Sequence, residues 1–443
     1  LFAVIETIYN FICSQPFRTE WMEQKLSMYR KTDDPGKSDW GRSLYNIAKQ
    51  MAEYALIITN NNIERITGLT PLEEAFMSGL QGDREILSNL IELIKNGTYE
   101  EIVSYVREIK LPRLSSVRKF EDTEFKDYIL RNRNEVKEIL SEIRKNLFCI
   151  DAQDYNSDIE YFHPKVKILF NMVLSFSEKY EEQKQARNIA DFDDLEQYAI
   201  RLLINKTDSG YEKTKLAQEL SNSYSEILID EFQDTNETQE LIFKAISKNE
   251  SNLFMVGDVK QSIYSFRKAK PQIFIKKKNS YYDYDGVNYP ARLMLTNNFR
   301  SRRQVTEIIN FLFSQIMSAD FGEIDYDETE SLTPSGSFCQ YDKGATEIHI
   351  VDSSEKSGDD RVTKEAKYIA QYIVDMVNNK HMVSDGEGLR PCRFGDFCIL
   401  MRATKNKSEK YISALCDYGI NVSAEVSVDF FKAKEIKMIM SYL

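Results

Sequence analysis

The 443-residue sequence is poor in the side chains that build metal centres, with six cysteines and three histidines. Cys13, Cys149, Cys339, Cys392, Cys398 and Cys416 are dispersed, without the short pairs that zinc or iron–sulfur ligation uses. They read as reduced, buried thiols. His163, His349 and His381 are just as scattered, which argues against a histidine metal site. No uninterrupted apolar run approaches the ~18 residues of a membrane span. A net charge of −12 argues against a generally basic nucleic-acid coat, although local patches can still contact phosphates. A Walker A loop, G-x-x-x-x-G-K-[ST], is also missing. The nearest match, DDPGKS at Asp33 to Ser38, has Lys31 where the first glycine belongs and follows a charged stretch rather than a strand. Pro35-Gly36 therefore reads as an ordinary turn.

What is present gathers around three short motifs. DEFQDT (Asp230 to Thr235) follows Ile227-Leu228-Ile229, GDVKQSIYSFRKA (Gly257 to Ala269) follows Leu253 to Val256, and NNFRSR (Asn297 to Arg302) follows Arg292 to Leu295. Each apolar run reads as a short buried-type strand, and ligands bind at the C-terminal ends of strands in open α/β sheets. The residue types match phosphoryl transfer from Mg-ATP to water, which needs a metal-holding carboxylate, a base or positioner, and cations for developing charge. Asp230 suits the Mg2+ role. Glu231, one residue on, points to the other side of the chain and can orient or deprotonate the water. Gln261 offers a neutral amide to sense the γ-phosphate. Arg300 is the candidate finger, since a guanidinium presents a planar fork to phosphate oxygens. An isolated Asp-Glu pair is as readily a solvated loop, but Gln233, Asp234 and both downstream motifs make a nucleotide-driven motor the leading reading.

At these residues the chain resembles motifs II, III and IV of the UvrD/Rep-like helicases of superfamily 1. RNIADFDDLEQYAIRLL (Arg187 to Leu203) and RPCRFGDFCILMRA (Arg390 to Ala403), followed by YGINVSAE and FFKAKEIKMIMSYL, narrow the resemblance to the RecB/AddA branch. The resemblance covers much of the chain from Arg187 onward and, more weakly, LFAVIETIYNFICSQPFRTEWM at the start. It implies ATP and Mg2+ as cofactors and 3′ to 5′ movement on single-stranded DNA. It also implies action on double-stranded DNA ends in recombinational repair, an AddB-type partner in a heterodimer, and the bacterial cytoplasm. Nucleotide contacts are implied at Asp230, Gln233, Gly257, Asp258, Gln261, Phe299 and Arg300, with Phe299 stacking on the nucleotide base. DNA contacts are implied at Tyr264, Phe266, Arg267 and Lys268. Phe266 stands where relatives often carry Trp, and a ring stacked on a base grips without regard to sequence. Core packing is its alternative role. Asp193 and Asp194 match a family signature with no chemistry attached, so helix capping or a domain contact is expected. Arg402 faces either a cleft or solvent. Two rival readings stand beside this one: a UvrD- or Rep-like repair helicase without a nuclease, and a non-catalytic DNA-binding scaffold descended from a helicase. Intact Asp230, Glu231, Gln261 and Arg300 argue against the scaffold.

The expected fold class is α/β, with P-loop (RecA-like) domains of parallel sheets flanked by helices behind a mostly helical accessory domain. Three parts are expected, from a soft prior of ~100–200 residues per domain. Residues 1–186 form a helical, 1B-like part, with helical periodicity at Ile86, Leu87, Leu90, Ile91 and Ile94 and again at Val136, Ile139, Leu140 and Ile143. Residues 187–287 form a partial first RecA-like domain carrying motifs II and III. Residues 288–443 begin a second, with strands at Leu293 to Leu295, Glu347 to Val351, Phe397 to Met401 and Ile420 to Ala424. The chain opens at Leu1 and stops at Leu443 inside an apolar helical pattern. The expectation is therefore a longer whole, with Walker A upstream and motifs V, VI and a nuclease downstream, and no ATPase from this chain alone.

Overall fold

Among the described residues of the first 186 the α-helices are α1 (Phe2–Ile12), α2 (Arg18–Ser27), α3 (Asp39–Ile66), α4 (Thr70–Asn96), α5 (Tyr99–Glu108), α6 (Thr123–Glu142) and α7 (Ala152–Ala186). The periodicity read from the sequence falls on α4 and α6, and Gly97 closes α4. In this computed structural model the described residues are 1–117, 120–207, 210–338, 346–352, 354, 358–385, 388–405, 407–424 and 434–441. Cys339 lies outside them, as does the middle of Asp385 to Gly388, which its glycines mark in the sequence as a turn. Ala48, Ala52 and Ala55 of α3 share one core with Leu87, Leu90, Ile91 and Ile94 of α4. Small side chains at this spacing let two long helices approach closely. The Walker-like segment is a turn, as expected. Asp34 accepts the Gly36 N–H at 3.0 Å, so a carboxylate occupies the amide that a phosphate would need. Ser38 then caps α3 by accepting the Gly41 N–H.

The Arg133–Asp83 ion pair is buried in this helical region. Arg133 donates to both oxygens of Asp83, at 2.6 and 2.9 Å, and also to the Pro112 carbonyl at 2.5 Å. Both side chains are buried, so removing one partner strands the other's charge. Asp83→Ala is expected to cost about 3–5 kcal/mol in chemical denaturation. A joint Asp83→Leu, Arg133→Met variant should recover most of that loss, because no charge then stays buried.

The chain divides into two units. The first comprises Leu1–Asp258 and Ser262–Phe274, the second Val259–Gln261 and Ile275–Leu443. In the first unit α7 leads to α8 (Phe192–Leu203), an antiparallel hairpin of β1 (Ile204–Thr207) and β2 (Gly210–Lys213), and α9 (Lys215–Ser223). A β–α–β unit follows: β3 (Ile227–Ile229), α10 (Glu237–Ile246) and β4 (Leu253–Met255), with β3 and β4 parallel. Ile200, Leu203, Ala217, Leu241 and Ala245 pack α8, α9 and α10 into one core. Hydrogen bonds cross the part boundary expected near residue 186, from Gln197 Nε2 to the Gln15 carbonyl and from Thr238 Oγ1 to the Ser14 carbonyl. The strands expected to be buried are half-buried on one face and exposed on the other. Leu228 and Phe254, opposite each other in the ladder, are 71% and 55% exposed.

In the second unit helices form but, among the described residues, the expected strands do not. Behind α11 (Pro271–Ser280), within which the division between the units falls, come α12 (Arg303–Ile316), α13 (Ala319–Gly322), α14 (Arg361–Asn378) and α15 (Ser408–Asp417). Only two-residue parallel pairs, Tyr282–Asp283 with Ala291–Arg292 and Asn297–Asn298 with Thr333–Pro334, and one antiparallel hairpin at Met382–Asp385 and Gly388–Pro391 form among the described residues. The strands expected at 293–295, 347–351, 397–401 and 420–424 are not in a ladder there. Phe397, Ile399 and Met401 still alternate onto the core of α14 and α15 as strand residues do. Apolar alternation encodes which face is buried; a ladder additionally needs a neighbouring strand, and none among the described residues pairs with these. The architecture is thus α/β with small parallel sheets.

Candidate functional site

Motif II begins where β3 ends. The ladder is continued by Val256 N–H donating to the Ile229 carbonyl and Phe232 N–H donating to the Val256 carbonyl, both at 2.8 Å. Phe232 is buried edge-on to Phe274, with ring centroids 5.6 Å apart. Between these anchors Asp230 and Glu231 are both exposed. Asp230 Oδ1 accepts the Glu231 N–H at 2.9 Å, and its second oxygen has no hydrogen-bond partner among the described residues. Glu231 adopts left-handed backbone, φ 50° and ψ 41°, a conformation that costs a non-glycine residue of order 1 kcal/mol or more. That bend turns its carboxylate to accept from Gln233 Nε2 at 2.6 Å.

Gln233, expected at the nucleotide, is held by contacts inside the protein. It is only 1% exposed. Its amide donates to Glu231 and its carbonyl accepts the Asp258 N–H at 3.0 Å. Both ends are spent inside the protein, so Gln233 is a strut joining motifs II and III. Gly257 is where that strut passes: a Cβ there would sit 2.4 Å from Gln233 Oε1. Asp234 lies beside the strut with a buried Oδ1 that has no hydrogen-bond partner among the described residues. Burial first, and the Glu231 charge second, push its carboxyl above the usual range.

The rest of motif III splits between the two units. Lys270 N–H donates to the Thr235 carbonyl at 3.0 Å, and its ammonium pairs with Glu237. The 3-10 turn Ser265–Arg267 presents Phe266 at 74% exposure, so core packing is not its role. Tyr264 lies 5.7 Å from the Phe266 ring, and the Arg267 guanidinium sits 5.0 Å and 5.8 Å from the two ring centres. Lys268, in left-handed backbone, lies 3.8 Å from Asp193. Asp194 completes a capping box with Asp191 at the start of α8, and Lys184 binds both carboxylates, at 2.5 and 2.9 Å. Asp194 thus caps a helix, as expected, and the contact of Asp193 lies within its own unit. Lys184 and Asp191 belong to none of the motifs read from the sequence, although the D-x-x-D spacing ahead of an apolar helix is a capping signal.

Gln261 ends the 3-10 turn Val259–Gln261 of the second unit. In the same unit Asn298 Oδ1 accepts the N–H groups of Arg300 (3.1 Å) and Ser301 (2.8 Å). This turn projects Phe299, 68% exposed, and Arg300 outward. The Arg300 guanidinium has no ion pair or hydrogen bond among the described residues. Arg402 is exposed.

The Asp230 carboxylate suits the metal of Mg-ATP. No group of three or more His, Cys, Asp or Glu able to hold a metal occurs among the described residues, and Mg2+ at nucleotide sites takes one or two carboxylates besides phosphates and water. The open oxygen of Asp230 meets that need. No helix among the described residues is long and apolar enough to cross a membrane.

Residues 19–282 match the UvrD/REP helicase N-terminal domain, and residues 293–443 match the UvrD-like helicase C-terminal domain. The chain is 32% identical over 99% of its length to an ATP-dependent helicase/nuclease subunit from Ruminiclostridium cellulolyticum, covering 38% of that protein. It is 33% identical over 99% to the protein of the same name from Clostridium kluyveri and 31% over 100% to that from Clostridium acetobutylicum, covering 37% of each. The chain thus spans less than two fifths of the length of these curated relatives.

Proposed function

The chain belongs to the UvrD/REP helicase family, and from that premise we propose that it is part of an ATP-dependent DNA helicase–nuclease subunit. It translocates on single-stranded DNA, unwinds double-strand ends for recombinational repair, works beside an AddB-type partner and resides in the bacterial cytoplasm. The carrying observation is the strut from Glu231 through Gln233 to Asp258, which ties the carboxylates of motif II to the segment bearing Phe266. Mg-ATP, when bound, supplies the transferable phosphoryl group and the charge that polarises it. Asp230 would hold the metal, Glu231 orient or deprotonate the water, Gln261 sense the γ-phosphate and Arg300 neutralise developing charge. Phe299 would stack on the nucleotide base. Tyr264, Phe266, Arg267 and Lys268 would hold the DNA strand. Residues 1–186 would be the helical accessory part, 187–287 the partial first motor domain, and 288–443 the start of the second. With no Walker A loop of its own, the isolated chain would not hydrolyse ATP.

The test uses Phe266, whose ring is exposed and flanked by a guanidinium. In the full-length protein Phe266→Ala is expected to weaken single-strand binding by about 1–3 kcal/mol, the worth of one base–aromatic stack. Unwinding should fall further than basal ATPase, since the ring couples motor to track. Equilibrium binding to oligo-dT and a fluorescent unwinding assay read both. Normal unwinding by a folded Phe266→Ala protein would remove stacking from the mechanism.

A further inference from the structure

The polar, acidic stretch from Asp320 to Gly344 reads in the sequence as a loop, yet the structure buries Glu330, which is 6% exposed. Its carboxylate accepts from two ammonium groups on different elements, Lys260 Nζ at 2.9 Å and Lys278 Nζ of α11. Burial alone would raise this carboxyl; the two lysines, Lys278 and then Lys260, outweigh burial and hold it below the usual carboxylate range. Lys260 immediately precedes Gln261.

The segment carrying Glu330 is itself fixed to the motif IV strand. Tyr326 Oη donates to Asn310 Oδ1 at 2.7 Å, and Asn310 exchanges hydrogen bonds with the backbone of Leu332, at 2.9 and 3.0 Å. Asp327 Oδ1 accepts the Thr329 and Glu330 N–H groups, closing the turn. Thr333 N–H then donates to the Thr296 carbonyl at 2.8 Å and Ser335 N–H to the Asn298 carbonyl at 2.9 Å. One ten-residue bracket, Tyr326 to Ser335, therefore holds the Asn297–Asn298 strand that projects Phe299 and Arg300 and, through Glu330, the Lys260–Gln261 turn. All of these contacts lie within the second unit.

We propose that Glu330 is a positioning residue for ATP hydrolysis, fixing Gln261 through Lys260 in a set relation to Arg300. The inference rests on the helicase reading above. A buried carboxylate between two lysines suits this task better than an apolar contact would. The pair is directional, and charged hydrogen bonds of this kind are short and strong. Misplacing a reacting or sensing group by about 1 Å can cost on the order of 10²-fold in rate.

The test compares DNA-stimulated ATP hydrolysis by the full-length protein with Glu330→Gln, Lys260→Met, Lys278→Met and the Glu330→Gln, Lys260→Met double variant. Glu330→Gln and Lys260→Met should each lower kcat by roughly 10- to 100-fold, with KM for ATP and single-strand affinity within about twofold of wild type. The double variant should be no slower than the slower single one, as expected when two residues act through one contact. Lys278→Met leaves Lys260 and Glu330 paired and should keep kcat within about twofold. Unchanged kcat in a folded Glu330→Gln protein overturns the proposal. So does multiplicative loss in the double variant, or an equal loss in Lys278→Met, which would mean general support of the loop. If Glu330→Gln does not fold, Lys260→Met with Lys278→Met as control decides the matter alone. A wild-type protein with no DNA-stimulated ATPase would instead defeat the helicase reading itself.

Discussion

Arg300→Ala and Arg300→Lys in the full-length protein should both lower ATP turnover by about 10³–10⁵, the contribution of an arginine finger. Single-stranded DNA binding should survive in both. The structure explains why this side chain is suited to the role. The Asn298 turn accepts two backbone N–H groups and so fixes the stem from which Arg300 projects. The guanidinium has no protein partner among the described residues, so it is not already committed to a structural ion pair there. Lysine keeps the charge but loses the planar fork that meets two phosphate oxygens at once. Steady-state ATPase with and without oligo-dT measures the loss. Wild-type turnover in Arg300→Lys would make Arg300 a structural or DNA-phosphate contact.

The second large effect is expected at Glu231. Glu231→Gln should reduce hydrolysis by roughly 10²–10⁴, the usual worth of a positioned general base, while nucleotide binding persists. The substitution keeps an oxygen able to accept from Gln233 Nε2 and keeps the side-chain length that the left-handed backbone projects. The strut to Asp258 should therefore remain, and the lost rate reports proton chemistry rather than collapse of the site. Asp230→Ala should behave differently, weakening Mg-dependent nucleotide binding, because its open oxygen is the metal's candidate ligand. Nucleotide binding by fluorescence and turnover by phosphate release separate the two. Near-normal turnover in Glu231→Gln would return the base to another residue.

Some of this is legible in the sequence for clear physical reasons. The helices of the first 186 residues announce themselves through 3.6-residue periodicity, and α4 and α6 carry the apolar positions that show it. The strands before motifs II and III are legible as apolar runs of the right length, and both form. The runs at 293–295 and 397–401 have the same local pattern without a ladder, since hydrogen-bonded neighbours come from remote sequence. The candidate site shows the same limit. Asp230, Glu231 and Arg300 are exposed at the ends of their motif strands. The resemblance implies Gln233 as a nucleotide contact, whereas its hydrogen-bond partner Asp258 arrives after a different strand and no local rule announces it. Glu330 is hidden for the same reason: Lys260, the residue it holds, lies 70 positions away. Long-range polar pairs leave no periodic trace, and a buried acid within an acidic stretch looks like any solvated one.

The bare face of the β3–β4 ladder has a practical consequence for anyone handling the 443-residue chain. Leu228 and Phe254 stand side by side on it, and Val256 and Ile263 are also exposed nearby in sequence. Parallel sheets are ordinarily covered on both faces; among the described residues this face is exposed, and an exposed apolar patch favours self-association. The surplus negative charge of the chain keeps molecules apart through long-range repulsion, which salt screens within about 10 Å at 0.1 M. The colloidal behaviour of a preparation should accordingly run opposite to the habit of nucleic-acid enzymes, clearest in dilute buffer and turbid as salt is raised to strip bound DNA.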